Sequence, residues 1–324
     1  MRIKYIKNDD GIIIVRMYGD RPTVDIPSFV DGERVTGLGE YCFSDKEPVY
    51  DEACIYQGYS DGKQDEDVGA GCYERVLSGD YITKVSIPHM VRSIGDLCFY
   101  GCGSLKEIEL YRQDMEDGSR LDAGSDTHGL SVGSDIFMNC HRLSLFILHK
   151  SVSEKTILKR ILMQKNTATY VRFDDAEAYF PEYTEYYDLI GPAHIFELAI
   201  DGEGLRVRQC FEDEIFRSDA YDDAFRRASA GEDERILCRM AAARLQFPEH
   251  LPGEARSMYE SYLAGHIEAL AADAVKDRDL TTILALAKQG ELTGQQIRQC
   301  LILTTKEGWA EGTRMLLGVL SPEN

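Results

Sequence analysis

The sequence predicts an α+β protein of two domains, a short β-rich repeat solenoid at residues 1–150 and an α-helical repeat domain at residues 151–324. Three observations support this prediction. An apolar pattern recurs at fixed intervals in the first part of the chain. After residue 153 the hydrophobic period changes from about 2 to about 3.6, as expected where strands give way to helices. The length of 324 residues is enough for two domains with separate cores.

One complete repeat unit lies in residues 82–110, ITKVSIPHMVRSIGDLCFYGCGSLKEIEL. Its strand positions Ile82, Val85 and Ile87 recur at one constant offset as Leu105, Ile108 and Leu110. The segment that follows the strand recurs both upstream and downstream, and its three copies are Leu38-Gly39 with Cys42-Phe43, Ile94-Gly95 with Cys98-Phe99, and Val132-Gly133 with Ile136-Phe137. Because one such unit cannot bury its apolar side alone, we expect the units to stack around a continuous core.

The repeat resembles the BspA-like bacterial leucine-rich repeats, whose unit reads approximately Ile-Pro, a gap, Val-x-x-Ile-Gly-x-x-Ala-Phe and then x-x-Cys-x-x-Leu-x-x-Ile-x-Leu. The matching residues are Ile26-Pro27 with 35–43 and Ile87-Pro88 with 91–110. The offset from Ile82 to Leu105 also falls in the range of about 20 to 29 residues that leucine-rich repeats have. The resemblance extends over residues 22–150 and implies a curved solenoid. Many members of this family are displayed on cell surfaces as adhesins, so the resemblance also implies an adhesin-like alternative.

Other features of residues 1–150 fit a capped solenoid. Residues 2–18 place two apolar runs around the turn Asn8-Asp9-Asp10-Gly11, which predicts a β-hairpin that caps the first unit. The glycine before each Phe, at positions 39, 95 and 133, is expected to need unusual backbone dihedral angles. Residues 44–80 and 111–129 are polar insertions, where solenoids often place binding sites.

The third strand of the solenoid, residues 143–148, is apolar on both faces. Its outward positions hold Leu145 and Ile147, and we predict that these two side chains are domain-junction contacts covered by the C-terminal half. The equivalent outward positions of the two preceding strands are polar and hold Lys84, Ser86, Glu107 and Glu109. Solenoids offer extended surfaces of this kind to partners, so these four residues are the candidate protein-binding face.

Helical patterns dominate residues 151–324. A first helix is expected after Ser153 as its N-cap, and residues 170–173 are either a short extended piece or a break. Phe180-Pro181 opens another helix, which Gly191-Pro192 interrupts before a helix at residues 195–200. Further helices are expected near residues 219–230, 232–246, 252–275, 279–289, 293–307 and 309–319. The stretch 279–320 is similar to degenerate ankyrin or other helix-pair repeats, without their Thr-Pro-Leu-His signature.

The chain is strongly acidic, with 36 Lys and Arg against 56 Asp and Glu and a net charge of −20. This charge argues against nucleic acid and anionic membranes and favours neutral or basic protein surfaces as partners. The only apolar run near the start is Ile12–Val15, whereas a signal peptide needs about 7 to 15 apolar residues. Nine cysteines, an odd number, are interpreted as reduced thiols of a bacterial cytoplasmic protein. A cell-surface location is the alternative if an export signal has been removed.

Two groups of residues have the types found in metal sites. Cys98, Cys102, Cys140 and His141 are zinc-ligand types, but the cysteines occupy interior repeat positions, so structural thiols are the preferred interpretation. The acidic run at residues 61–67 lacks the spacing of a calcium-binding loop, and a solvated loop is preferred. The sequence therefore predicts no cofactor, no metal and no catalytic residue.

These observations predict a non-catalytic protein-protein interaction scaffold, whose partner the sequence does not identify. The partner would bind at the face of Lys84, Ser86, Glu107 and Glu109 or at the loop of residues 44–80. An adhesin-like surface protein and a thiol- or metal-dependent enzyme that uses the cysteine and histidine residues are the alternatives.

Overall fold

The computed structural model describes residues 1–47, 49–50, 54–57, 75–112, 130–190, 195–279, 282–283 and 292–320. The chain divides into two compact units, Met1–Ala176 with Phe180–Tyr221 and Glu177–Tyr179 with Asp222–Asn324. Strands dominate the first unit and helices the second, so the fold is α+β. Most of the two predicted insertions, the acidic run at 61–67 and most of the helix expected at 279–289 lie outside the described residues.

The first two strands form the predicted hairpin. β1 (Arg2–Asn8) pairs antiparallel with β2 (Gly11–Tyr18), and Asn8 lies opposite Gly11. Gly11 has a φ of +138°, a value that residues with a Cβ rarely adopt. The inward side chains of Ile3, Tyr5, Ile12 and Ile14 are buried, as the period of two in a strand requires. The hairpin prediction is therefore confirmed.

Five strands in the first unit form a parallel ladder. They are β3 (Thr23–Asp25), β7 (Lys84–Pro88), β9 (Glu107–Arg112), β11 (Leu145–Leu148) and β12 (Thr169–Arg172), paired in that order. Their register forms one buried row of Val24, Val85, Ile108, Phe146 and Val171. Leu110 pairs with Leu148 in the same ladder.

Residues that occupy equivalent positions in consecutive sequence repeats pair with each other on adjacent strands of this ladder. Val85 pairs with Ile108, and Ser86 pairs with Glu109, so the constant offset of the sequence appears directly as strand register. The boundary predicted at residue 150 lies inside the first unit, because β12 extends the ladder beyond it.

A second sheet carries the other half of each repeat. Its remaining strands are β4 (Phe29–Val30), β5 (Glu33–Leu38), β6 (Cys54–Gln57), β8 (Ser93–Ile94) and β10 (Ser131–Val132). β2, β5, β8 and β10 pair parallel in that order, while β6 pairs antiparallel with β1 and β4 with β5. The register aligns Leu38, Ile94 and Val132, which are the equivalent positions of the three sequence copies.

One Phe from each of three units enters a continuous stack. The ring centroids of Phe43 and Phe99 are 5.1 Å apart, and those of Phe99 and Phe137 are 5.2 Å apart. Thiols connect the same units, since Cys102 Sγ lies 3.2 Å from the Phe43 carbonyl oxygen and Cys140 Sγ lies 3.0 Å from that of Phe99. The repeated Phe and Cys therefore pack and hydrogen-bond from one unit to the next.

The recurring glycines have a different cause from the one predicted. A Cβ on Gly95 would lie 2.6 Å from the backbone nitrogen of Glu40, and a Cβ on Gly133 would lie 2.6 Å from that of Asp96. Close approach of consecutive units, rather than an unusual dihedral angle, therefore requires glycine here. The left-handed backbone instead recurs two positions later, at Tyr41, Leu97 and Asp135, whose φ values are 55°, 55° and 52°.

Residues 151–216 contain more strand than the sequence predicts. The first helix, α1 (Leu158–Met163), starts after Ile157 rather than after Ser153. Residues 180–200 do not form helices. Their strands are β13 (Glu177–Phe180), β14 (Thr184–Ile190) and β15 (Ile195–Asp201), followed by the short helix α2 (Gly204–Val207) and the strands β16 (Phe211–Glu212) and β17 (Ile215–Phe216). β14 and β15 pair antiparallel along their whole length. The predictions of a helix opened by Phe180-Pro181 and of a helix at residues 195–200 are wrong, because aromatic and β-branched residues on both sides of Gly191-Pro192 favour a hairpin.

The remaining helices lie close to the predicted ranges. They are α3 (Ser218–Ala228), α4 (Glu234–Arg244), α5 (Gly253–Lys276), α6 (Gly294–Lys306) and α7 (Ala310–Leu320). Asp233 caps α4 by accepting a hydrogen bond from the backbone of Arg235, and Thr293 forms a capping box with Gln296 at the start of α6. In the second unit the buried guanidinium of Arg244 pairs with Asp222 at 3.0 Å. Within the described residues, no helix is both long enough and apolar enough to span a membrane.

Candidate functional site

The outward face of the strand ladder carries the predicted binding residues. Strand register places Lys84 beside Glu107 and Ser86 beside Glu109. The same two rows continue on β11, where Leu145 pairs with Glu107 and Ile147 with Glu109. Because side chains alternate along a strand, all of them lie on the face opposite the buried row that contains Val85 and Ile108. The ladder therefore brings the predicted residues together on one surface.

Lys84 and the two glutamates form a connected charged network. Lys84 Nζ lies 2.7 Å from Glu107 Oε1 and 3.2 Å from Glu109 Oε2. The hydroxyl of Ser86 donates to Glu109 Oε2 at 2.6 Å, and His149 Nε2 lies 2.5 Å from Glu109 Oε1. The other ring nitrogen of His149 is 3.9 Å from Asp174 Oδ1. Glu109 is thus the centre of the network, held from three directions.

The electrostatics of this network keep Glu109 ionised. Burial by itself would raise the pKa of Glu109, but hydrogen bonds from Ser86, His149 and Lys84 outweigh it and lower the pKa to about 2. The pKa of Lys84 is raised, chiefly by its hydrogen bond to Glu107. Both signs of charge are therefore fixed in place across the neutral pH range.

We expect this network to make the free energy of unfolding depend on pH in the acidic range. The folded pKa of Glu109 lies below its ordinary value of 4.5, so its contribution is complete above pH 4.5 and disappears as the pH falls towards 2. In urea unfolding, Glu109→Gln should lose about 1 kcal/mol at pH 7, after allowance for solvent screening, and much less at pH 3. Glu40→Gln removes an exposed carboxylate outside the ladder and serves as the control. A Glu109→Gln deficit of equal size at both pH values would contradict this account.

The structure changes the role of two residues on this face. Ser86 was predicted as an exposed binding residue, but it is only 1% exposed and holds Glu109. His149 was not predicted as part of the face, although it follows Leu145 and Ile147 at the strand period of two, which is the signal that would have identified it. Leu145 and Ile147 are half-buried, and their assignment as domain-junction contacts stays a prediction.

The cysteine and histidine alternative finds little geometric support. Cys98, Cys102 and Cys140 are buried, whereas His141 is exposed. Burial raises the pKa of Cys98 well above its ordinary value, and a hydrogen bond to Cys140 together with burial raises that of Cys102. The same hydrogen bond lowers the pKa of Cys140. The Cys140 side chain is nevertheless buried, with 5% exposure, and its thiol donates to the Phe99 carbonyl. In the described part of the chain, no three His, Cys, Asp or Glu side chains are grouped so as to hold a metal ion.

Ser86, Glu109, His149 and Asp174 have the residue types of a hydrolase site but not its geometry. In such a site the serine hydroxyl donates to the imidazole, which removes its proton. Here the hydroxyl of Ser86 donates to Glu109 and is buried. The arrangement therefore fixes a carboxylate and does not activate a nucleophile.

The parallel ladder, its strand interval and the recurring Phe and Cys make the first unit similar to leucine-rich repeat proteins. Residues 71–119 match the family described as "BspA type Leucine rich repeat region (6 copies)". The resemblance inferred from the sequence is thereby confirmed for this part of the chain.

Comparison with solved structures and with curated proteins gives no further assignment. A leucine rich cell surface protein from Faecalibacterium prausnitzii A2-165, solved by crystallography, is 21% identical over 43% of this chain, with a TM-score of 0.25. This chain spans only 27% of that protein's length. A TM-score this low does not establish a shared overall fold. No curated protein matches the chain.

Proposed function

We propose that this protein is a non-catalytic protein-protein interaction scaffold. Its N-terminal part is a leucine-rich repeat solenoid capped by the β1–β2 hairpin, and its C-terminal part is a domain of helix-pair repeats. The match of residues 71–119 to the repeat family is consistent with a protein-interaction or adhesin-like role. The observation that carries the proposal is the charged network of Lys84, Glu107 and Glu109 on the outward face of the ladder.

The network suits binding because it is ordered before a partner arrives. The side chains of Lys84 and Glu107 are 34% and 24% exposed, so a partner reaches both. Each is already held in an ion pair, which reduces the conformational entropy that binding would cost. Charges fixed in this way select partners by complementarity and steer their approach. The binding face is therefore Lys84, Glu107 and Glu109, and Ser86 and His149 hold Glu109 in place through hydrogen bonds.

A cytoplasmic location belongs to the same proposal. Seven cysteines are buried free thiols, as expected of a protein in a reducing compartment, and they are Cys42, Cys98, Cys102, Cys140, Cys210, Cys238 and Cys300. The adhesin-like alternative predicts the opposite behaviour in cells. Protease treatment of intact cells should leave the cytoplasmic scaffold undigested, whereas a surface-displayed protein would be cut.

A charge reversal at Glu107 tests the binding face. Glu107→Lys places a second cation beside Lys84 and leaves the hydrogen bonds of Glu109 with Ser86 and His149 in place. We expect cross-linked partners recovered from native cells to fall by about tenfold, the effect of about 1.4 kcal/mol at an interface. Recovery is measured by quantitative mass spectrometry after matched cross-linking.

Glu40→Lys is the matched control, since it makes the same charge change at an exposed position outside the ladder. Its partner recovery should equal that of the unmodified protein. If Glu107→Lys recovers every partner as well as Glu40→Lys does, this face is not the binding surface.

A further inference from the structure

The β14–β15 hairpin exposes an apolar face. Pairing places Glu185 opposite Ile200 and Tyr187 opposite Leu198, so these four side chains share one side of the two-stranded sheet. Tyr187, Leu198 and Ile200 are 69%, 47% and 41% exposed. Scattered exposed apolar residues are ordinary, but three neighbours on one face form a patch of the kind that marks an interaction site.

In the part of the chain that the structure describes, the edges of the hairpin are also without a paired strand. β14 and β15 form a sheet of two strands, and in the described residues neither strand has a backbone hydrogen bond to another element. Two-stranded sheets are marginally stable in water, and unpaired edge groups readily accept a further strand. An extended segment added at an edge would continue the backbone pairing and place its own apolar side chains beside the apolar face.

Charge decides which segment fits. Residues 184–201 contain Glu185, Asp188, Glu197 and Asp201 and no Lys or Arg. Glu185 belongs to the apolar face itself, and Asp201 is exposed where β15 ends. A second copy of the chain would bring like charges together and be repelled, as would an anionic lipid surface. Complementarity therefore selects a partner that combines apolar side chains with Lys or Arg.

We infer that the β14–β15 hairpin is a docking surface for an extended basic segment of another protein, which adds a third strand to it. Apolar side chains of the segment pack beside Tyr187, Leu198 and Ile200, and the Lys or Arg side chains that alternate with them lie on the opposite face, which also carries Asp201. This surface is separate from the network of Lys84, Glu107 and Glu109, and its assignment does not depend on the function proposed above.

Binding of defined peptides to the full chain tests this inference. The probes are fluorescently labelled synthetic peptides, long enough to pair along one strand, in which Lys alternates with Val, Ile or Tyr, and matched peptides with Glu in place of Lys. Fluorescence anisotropy should show saturable binding of the Lys peptides, at least tenfold tighter than of the Glu peptides. The affinity should weaken as salt is added, because salt screens exposed charge pairs.

Substitutions on the two faces of the hairpin locate the binding site. Tyr187→Ser combined with Leu198→Ser should weaken binding of the Lys peptide by about 30-fold, as expected for central aromatic and aliphatic contacts. Tyr186→Ser is the matched control, because Tyr186 is 46% exposed and lies on the opposite face, paired with Ala199. It should change the affinity by less than about twofold. Thermal unfolding monitors whether each variant folds. If the double variant does not fold, Ile200→Thr replaces it, because threonine keeps a β-branched side chain, and its weaker binding of the Lys peptide gives the same readout.

Three results would overturn the inference. The first is equal binding of the Lys and Glu peptides. The second is equal weakening by Tyr186→Ser and by the change at Tyr187 and Leu198. The third is a dimer in analytical ultracentrifugation that the change at Tyr187 and Leu198 dissociates, since that result would assign the face to a second copy of this chain.

Discussion

Replacing Phe99 by alanine should lower the free energy of unfolding by about 4 kcal/mol, since truncating a fully buried Phe removes its transfer energy and leaves a cavity. Phe99 is 0% exposed, and its ring stacks on Phe43 on one side and on Phe137 on the other. The substitution therefore interrupts the stack between consecutive repeat units rather than trimming its end. Urea unfolding followed by circular dichroism measures the loss.

Met138→Ala is the matched control for Phe99→Ala. Met138 follows Phe137 in the chain and is exposed, so its truncation removes little buried area and should cost less than about 1 kcal/mol. Phe99→Leu should fall between the two, because a leucine fills part of the space without stacking. If Phe99→Ala costs no more than Met138→Ala, the Phe residues do not form the continuous core that the repeat predicts.

The repeat region was predictable because its signals are periodic and repeated. The constant offsets between equivalent positions in the sequence reappear as strand register, as in the alignment of Val85 with Ile108 and of Leu38 with Ile94 and Val132. Any one apolar residue is ambiguous, but the same positions recurring in three units leave few alternative arrangements. The reason for the glycines was not predictable, since the approach of a glycine in one unit to the backbone of the preceding unit depends on how consecutive units stack.

The candidate site was predicted only in part. Alternation along the strand placed Lys84, Glu107 and Glu109 on the outward face, as the structure shows. Alternation did not predict that Ser86 is buried, although its hydroxyl donates to the carboxylate of Glu109 on the adjacent strand. Side-chain contacts between strands far apart in sequence decide such details, and they have no local signal.

The prediction of helices at residues 180–200 was wrong for a different reason. Its apolar residues are so dense that both helical and strand periods fit, and proline at 181 was interpreted as the start of a helix. The aromatic and β-branched content, with Gly191-Pro192 between the two runs, favoured the strands that are observed. Local propensity was the better guide here, because the apolar periodicity did not distinguish the two structures.

The second large effect is expected at Arg208, the largest fully buried side chain in the described part of the protein. Its guanidinium donates to five backbone carbonyls from three segments of the chain, and these belong to Leu162, Lys165, Thr167, Pro181 and Gly204. The distances to Lys165, Thr167 and Gly204 are between 2.8 and 2.9 Å. Arg208 therefore joins these segments through their backbone carbonyls, adding to the backbone hydrogen bonds that Leu162 and Gly204 already accept.

Arg208→Met should lower the free energy of unfolding by more than about 3 kcal/mol, because it removes the guanidinium hydrogen bonds to five carbonyl groups from a buried site. Arg208→Lys keeps the charge but has three donors at a single point, so it should recover only part of the loss. Arg206→Met is the control, since Arg206 lies two positions earlier, is exposed and forms an ion pair with Glu203 at the surface. Its cost should stay below about 0.5 kcal/mol.

The pH dependence of the stability of the Arg208 variants distinguishes the effect of the positive charge at this position from that of the hydrogen-bond geometry. Burial lowers the pKa of Lys165 from 10.5 to about 8, and the neighbouring charge of Arg208 acts in the same direction. Between these values the unfolded chain binds more protons than the folded one, so stability should rise as the pH increases from about 8 to about 10.5. In Arg208→Met the pKa of Lys165 should move back towards 10.5 and the rise should shrink, whereas in Arg208→Lys it should persist.

A full recovery of stability by Arg208→Lys would show that the positive charge alone matters at this position. Partial recovery with the pH-dependent rise retained is the result that the five-carbonyl geometry requires. The two variants therefore distinguish a hydrogen-bonding role for the planar guanidinium from a general electrostatic one, and the same measurement reports on both because Lys165 titrates beside it.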